Sequence, residues 1–121
     1  MADPCALVVE DDRDVAELYR RVLDSLGFSA EVIRTGEGAL ARLAAVAPAV
    51  VLLDLNLLSR VSGSDILHQI RADERLTGTR VVMVTGHREV DKTVRDEADA
   101  VLFKPIDISE LSDVITQLRL G

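Results

Sequence analysis

Four side chains that could do chemistry each close a short run of apolar residues. They are Asp11, Asp54, Thr85 and Lys104. Apolar runs without alternation are typical of strands that are buried on both faces of a parallel sheet. If these strands lie side by side, the four side chains meet outside the carboxyl ends of the strands, where such sheets form their sites. Carboxylates, a hydroxyl and an ammonium gathered there could bind a metal ion and a phosphoryl group.

Acidic residues are crowded at two of these strand ends. Glu10, Asp11 and Asp54 would place up to three carboxylates together, which is unfavourable unless a cation or a proton relieves the repulsion. Mg²⁺ is the natural cation, with Mn²⁺ as a substitute, because both accept oxygen ligands. The simpler alternative is that Asp11, Asp12 and Asp14 only cap the following helix and favour its positive end.

The other three groups also have ordinary interpretations when each is taken alone. Asp54 would be costly to bury without a partner, and Lys104 could either pair with it or contact a phosphate. Thr85 and Gly86 offer a hydroxyl and a main-chain N–H to a phosphoryl oxygen. Alternatively, Asp54 opens a turn with Asn56 and the Thr85 segment is an ordinary cap. The joint arrangement favours a site.

Strands and helices alternate along the chain. The apolar runs predict five strands, at residues 5–9, 30–34, 50–53, 81–84 and 101–103. Apolar residues at helical spacing fill the intervals, with Gly27 as a helix stop, a cap at Thr35, and a cap at Ser62 or Ser64. Strict alternation implies an α/β fold with a parallel sheet, right-handed crossovers and helices on both faces.

The fourth helix is expected to be short and weakly anchored. Between positions 87 and 98 the only large apolar residues are Val90 and Val94. A helix with so few apolar residues has little surface to bury against the sheet.

Composition narrows the class of protein. The 121 residues fit one domain spanning residues 1–121. A net charge of −7 without a block of Lys or Arg argues against direct nucleic-acid binding, and one Tyr and two Phe offer few stacking surfaces. A single cysteine and the lack of any window approaching ~20 apolar residues favour a cytoplasmic protein without a membrane span.

Four segments resemble a response-regulator receiver domain, the chemotaxis-regulator-like phosphoacceptor domain of two-component systems. They read LVVEDD at 7–12, VLLDLN at 51–56, VMVTGH at 82–87 and FKP at 103–105. The resemblance implies a flavodoxin-like, doubly wound sheet of order 2-1-3-4-5 with five helices. It also implies that Asp54 accepts a phosphoryl group from a sensor histidine kinase or a histidine phosphotransfer protein.

The same resemblance implies a metal site that depends on Mg²⁺. Asp11, Asp54 and the main-chain carbonyl of Asn56 would bind the ion directly, and Glu10 would act through water. Asp12 would lie outside the acidic pair.

Phosphoryl contacts are implied as well. Lys104 and Thr85 would hold phosphoryl oxygens, and the peptide bond between Lys104 and Pro105 would be cis. The side chains of Asn56 and His87 would tune the lifetime of the phosphoryl group, although a surface residue at a helix start is the simpler interpretation of His87.

The chain departs from the family pattern in the loop after Asp54 and around the fourth helix. Position 58 is Leu where receivers usually have Pro, and one extra residue precedes Gly63. Val101 occupies the position of the usual aromatic switch, and the interval from Thr85 to Lys104 is short. We expect altered signal transmission with intact phosphorylation chemistry.

Three functions stay open at this level. The first is a phosphorylatable receiver, alone or as part of a longer regulator, that catalyses only its own phosphorylation and dephosphorylation. It would act through a downstream protein partner and could form a homodimer. The second is a degenerate receiver that binds partners without phosphorylation. The third, a small Mg²⁺-dependent phosphatase, is disfavoured because Asn56 stands where a second acid would be needed.

Overall fold

The computed structural model describes residues 3–120, which form a three-layer α/β structure. The strands are β1 Cys5–Val9, β2 Ser29–Ile33, β3 Val50–Asp54, β4 Arg80–Thr85 and β5 Ala100–Phe103. The helices are α1 Arg13–Ser25, α2 Gly36–Leu43, α3 Gly63–Ala72, α4 Lys92–Glu97 and α5 Ile108–Leu120, with a 3-10 helix at Glu74–Leu76. Among the described residues, no helix combines the length and apolarity needed to cross a membrane.

The five strands form one parallel sheet in the order β2-β1-β3-β4-β5. The predicted doubly wound topology is therefore confirmed. The predicted strand bounds differ by a residue or two, most clearly at β2, which begins at Ser29 and ends at Ile33. Its pairing with β1 ends at the Val9 and Ile33 partners, which leaves Arg34 outside the sheet.

Side chains of the central strands alternate between two apolar cores, one on each face of the sheet. In β1, Ala6 and Val8 pack into the core on the α1 and α5 side, whereas Leu7 and Val9 pack into the core on the α2, α3 and α4 side. All four are fully buried. Because neither face of the strand contacts water, its sequence is apolar without alternation.

Polar caps fix where the helices begin. Asp12 accepts hydrogen bonds from the first-turn amides of α1, so the capping alternative is correct for this residue. Thr35 caps α2 as predicted. Of the two serines considered for α3, Ser62 is the cap, in a reciprocal capping box with Asp65. Gly27 follows α1 with a φ of 94°, a conformation that favours glycine and ends the helix.

The fourth helix is short, as predicted. It has six residues, and Val94 is its one buried residue. At its carboxyl end, the Nε of Arg71 donates to the Glu97 carbonyl at 2.8 Å, and an Nη of Arg71 donates to the Asp99 carboxylate at 2.8 Å. The helix is therefore held at its end by α3 and only lightly along its length.

A candidate metal and phosphoryl site

The predicted site residues converge at the carboxyl ends of four adjacent strands. Asp54 is the last residue of β3 and Thr85 the last of β4, while Glu10 follows β1 and Lys104 follows β5. In a parallel sheet these ends lie along one edge, so residues far apart in sequence become neighbours. The convergence expected from the sequence is confirmed by the positions of these side chains.

Three carboxylates form the acidic part of the site. Glu10, Asp11 and Asp54 each offer an oxygen, and these oxygens all lie within 4.8 Å of one another. Glu10 is 1% exposed and Asp54 3% exposed, whereas Asp11 is half-buried. Several hard oxygen donors with one side open to solvent suit Mg²⁺, which retains part of its water shell. The donor set therefore fits the metal that the sequence predicts.

Lys104 provides the positive charge beside these carboxylates. Its Nζ lies 2.9 Å from Glu10 Oε1 and 3.2 Å from Asp54 Oδ2. Burial alone would lower the pKa of Lys104, but the hydrogen bond to Glu10 and the charge of Asp54 outweigh it and raise that pKa to about 12. Burial has the larger effect on Glu10 and raises its pKa, against the hydrogen bonds from the Asp12 amide and from Lys104. The ammonium thus holds its proton firmly inside the site.

Asp11 is tied to the loop that follows β3. The main-chain N–H of Leu58 donates to Asp11 Oδ2 at 3.0 Å. Burial acts to raise the pKa of Asp11, yet this hydrogen bond and further polar contacts outweigh it, so the pKa lies below its ordinary value. A main-chain donor has no signature in the sequence, and this contact was not predicted.

A short hydrogen-bonded chain links Asp54 to Thr85. Asp54 Oδ1 accepts from the Asn56 N–H at 2.9 Å, which is the turn considered from the sequence. Thr85 Oγ1 donates to the Asn56 side-chain Oδ1 at 2.9 Å and accepts from the His87 N–H at 3.1 Å. Asn56 and Thr85 are therefore in direct contact, whereas the His87 side chain is exposed. No contact here tests the predicted effect of His87 on phosphoryl lifetime.

The altered loop packs tightly under Asp54 despite its extra residue. A Cβ on Gly63 would lie 2.3 Å from the Asp54 carbonyl oxygen and 2.7 Å from the Leu55 Cα, so only glycine fits there. Leu57 is buried, while Leu58 is 92% exposed. The loop is thus held by the close packing of Gly63 and the burial of Leu57, and it exposes Leu58 to solvent.

Two further expectations concern the β5 region. The peptide bond between Lys104 and Pro105 is cis, as the family resemblance implies. Val101 is half-buried and packs against the core on the α3 and α4 side, so the usual aromatic is absent from that position. An aromatic instead occurs at Phe103, the register partner of Thr85, with the Arg88 guanidinium 5.2 Å from its ring centroid.

Comparisons with known proteins agree with the fold. A family model of the response regulator receiver domain matches residues 6–116. The chain is 38% identical over 108 residues to the sensory transduction protein RegX3 of Mycobacterium tuberculosis, covering 87% of the chain and 46% of RegX3. It is 36% identical over 108 residues to the DNA-binding response regulator MtrA of Mycolicibacterium paratuberculosis, with the same coverage of 87% and 46%. The chain spans less than half the length of these curated relatives.

Solved structures give the same result. A CheY-like receiver domain from Methylobacillus flagellatus superposes with a TM-score of 0.86 at 31% identity, covering 97% of this chain and 99% of that one. The response regulator TrrA of Thermotoga maritima, solved in complex with Mg²⁺ and BeF, superposes with a TM-score of 0.83, covering 95% of this chain and 98% of that one. At 23% identity, TrrA supports the fold alone.

Proposed function

The chain belongs to the response regulator receiver family, and we propose that it accepts a phosphoryl group on Asp54 in a reaction that depends on Mg²⁺ or Mn²⁺. Receiver domains act in two-component signalling, where their partners are histidine kinases. The observation that carries the proposal is the buried Asp54 carboxylate, which lies beside Lys104 and within 4.8 Å of the Glu10 and Asp11 carboxylates.

The arrangement suits an in-line phosphoryl transfer. A carboxylate oxygen of Asp54 forms a bond to phosphorus as the bond from phosphorus to the donor nitrogen breaks, and the electron pair leaves with the imidazole. Such reactions need mainly positioning and charge neutralisation. Asp54 is already oriented by the Asn56 amide on one oxygen and by Lys104 on the other.

The metal would be held by Asp11, Asp54 and the Asn56 carbonyl, with Glu10 acting through water. When bound, the ion supplies positive charge to the phosphoryl oxygens. Lys104 supplies a second positive charge, and its high pKa keeps it protonated at neutral pH. Thr85 would contribute its hydroxyl to a phosphoryl oxygen by exchanging its present bond to Asn56 for the new one.

The protein would act on itself alone and have no other substrate. Its source of phosphoryl groups would be a histidine kinase or a histidine phosphotransfer protein. The output would be altered binding of a downstream protein partner after Thr85 changes its hydrogen bond, because that exchange also affects the His87 main chain at the start of the following loop.

A small phosphoryl donor tests the proposal. We expect incubation with acetyl phosphate and Mg²⁺ to add one phosphoryl group to the intact mass, and EDTA to prevent it. Asp54→Asn should abolish the gain, while the matched control Asp113→Asn, an exposed carboxylate on α5, should retain it. No gain with either acetyl phosphate or a phosphohistidine donor would contradict the proposal and favour a pure interaction module. Sustained donor turnover well beyond one equivalent would favour a phosphatase.

A further inference from the structure

We infer that the main-chain N–H of Leu58 is a positioning group for the metal site, because it orients the Asp11 carboxylate. The inference rests on the proposed function, since it concerns how the same site binds Mg²⁺. It concerns a main-chain group in the altered loop, at a position where the family usually has Pro. Proline has no N–H to donate, so this contact depends on the departure from the family pattern.

The geometry of the contact is that of a good hydrogen bond. The Leu58 nitrogen lies 3.0 Å from Asp11 Oδ2, and the two residues are 47 positions apart in sequence. A carboxylate has about four acceptor positions on its two oxygens. One N–H therefore fixes the direction of the Asp11 side chain and leaves most of its acceptor capacity for a cation.

The side chain of Leu58 does not explain why the residue sits here. The residue as a whole is 92% exposed, so little of its apolar surface is buried in the protein. The neighbouring Leu57 provides the apolar anchor of the loop instead, at 8% exposure. What Leu58 contributes to the described structure is its main-chain donor.

The loop that carries this donor is held rigidly on its far side. The Gly36 N–H at the start of α2 donates to Ser59 Oγ at 3.1 Å, and Ser59 Oγ donates to the Val61 carbonyl at 2.8 Å. The Val61 N–H donates to the Glu37 carboxylate at 3.0 Å. The Leu58 N–H is thus presented from a loop fixed to α2 on one side and to the core on the other.

A fixed donor on a metal ligand has a measurable effect. Groups that hydrogen-bond to metal ligands orient them, and their loss typically weakens metal affinity by about 10- to 100-fold. Without the N–H, Asp11 would be free to rotate away from Glu10 and Asp54, whose negative charges repel it. We therefore expect the loss of this one donor to weaken Mg²⁺ binding by about tenfold or more.

Three proteins isolate the N–H from the side chain. Leu58→Pro removes the donor, Leu58→Ala keeps the donor and removes the side chain, and an amide-to-ester replacement at position 58 removes the donor while keeping the leucine side chain. Mg²⁺ affinity is measured by calorimetry, and urea unfolding in EDTA reports the fold. The rate of phosphorylation by acetyl phosphate is measured over a range of Mg²⁺ concentrations.

The inference predicts that the Pro variant and the ester bind Mg²⁺ about tenfold or more weakly, and that the Ala variant stays within about twofold of the wild type. For the Pro variant and the ester, the curve of phosphorylation rate against Mg²⁺ concentration should shift to higher Mg²⁺, with the plateau rate retained. In the wild type, the Leu58 amide should stay protected from hydrogen exchange with and without Mg²⁺.

Other outcomes would contradict this role of the Leu58 N–H. If the ester binds Mg²⁺ as tightly as the wild type, or more tightly, the Leu58 N–H does not position Asp11. The same conclusion would follow if the Leu58 amide of the wild type lost its protection from hydrogen exchange when Mg²⁺ is added. These results would overturn the inference and leave the proposed function standing. A wild-type protein that binds no Mg²⁺ would overturn both.

Discussion

Lys104 is predicted to be the charge that allows Glu10 and Asp54 to be buried together when no metal is present. Replacing it as Lys104→Met keeps a long side chain and removes the ammonium that lies 2.9 Å from Glu10 and 3.2 Å from Asp54. Two unit charges within 4.8 Å of each other repel by about 3 kcal/mol at an effective dielectric constant near 20. Removing one partner from buried ionic groups generally costs about 3–5 kcal/mol.

The loss should depend on metal and on pH. In EDTA at pH 7 we expect Lys104→Met to lower the free energy of unfolding by about 3 kcal/mol, and saturating Mg²⁺ should restore most of it. Lowering the pH should also reduce the difference in unfolding free energy between Lys104→Met and the wild type. Burial already raises the pKa of Glu10, and loss of the hydrogen bond from Lys104 raises it further, so Glu10 takes up a proton more readily in the folded state than in the unfolded state and stability rises as pH falls.

The assay is urea unfolding followed by circular dichroism, with and without Mg²⁺, at pH 7 and pH 5. Lys92→Met is a matched control, because Lys92 makes an ion pair with Asp96 while its side chain is 87% exposed. Exposed pairs of this kind contribute little to stability. The reasoning is refuted if Lys104→Met loses no more stability than Lys92→Met, or if its loss is the same under all four conditions.

Three further predictions follow from other parts of the structure. Gly63→Ala should lower the free energy of unfolding by about 1–3 kcal/mol and slow phosphorylation, because the new Cβ would lie 2.3 Å from the Asp54 carbonyl oxygen. The control Gly78→Ala should not destabilise the protein, because its Cβ would have no atom within 4 Å. Chemical denaturation measures the stability of both variants, and intact mass measures their phosphorylation. Arg71→Met should accelerate amide hydrogen exchange in α4 and leave the phosphorylation yield unchanged, because its hydrogen bonds hold the end of that helix. The high pKa of Lys104 is tested in a Tyr19→Phe background, because burial raises the pKa of the Tyr19 phenol to about 12 as well. In that background the free energy of unfolding should fall by about 1 kcal/mol as pH rises from 10.5 to 12. The pKa of Lys104 is higher in the folded state than in the unfolded state, so its contribution to stability is complete below pH 10.5 and is lost as pH rises through about 12. A Lys104→Met version of the same protein should lack the decline.

The sheet and the meeting of the site residues could be predicted because both follow from simple rules. Doubly buried strands produce apolar runs such as residues 50–53, and parallel strands bring their last residues to one edge. Asp54 and Thr85 lie at that edge for this reason alone. The resemblance then supplied the individual roles, including the cis bond before Pro105.

Hydrogen bonds between elements that lie far apart in the chain could not be predicted, because neither residue type nor local spacing indicates them. The Leu58 N–H reaches Asp11 only because the loop folds back over the edge of the sheet. The bond between Thr85 and Asn56 and the contacts of Arg71 with the end of α4 likewise join elements that are distant in sequence. The choice of Ser62 over Ser64 was decided by its reciprocal bond with Asp65.

The central claim is that Asp54 itself carries the phosphoryl group, and residue-level mapping tests it most directly. The protein is phosphorylated with acetyl phosphate and Mg²⁺, reduced with borohydride, which converts an aspartyl phosphate to an alcohol, and analysed by peptide mass spectrometry. The account predicts one reduced residue, at position 54, that depends on Mg²⁺ and is absent in Lys104→Met at short reaction times. Modification of a different residue, or none in a folded protein that binds Mg²⁺, would contradict it.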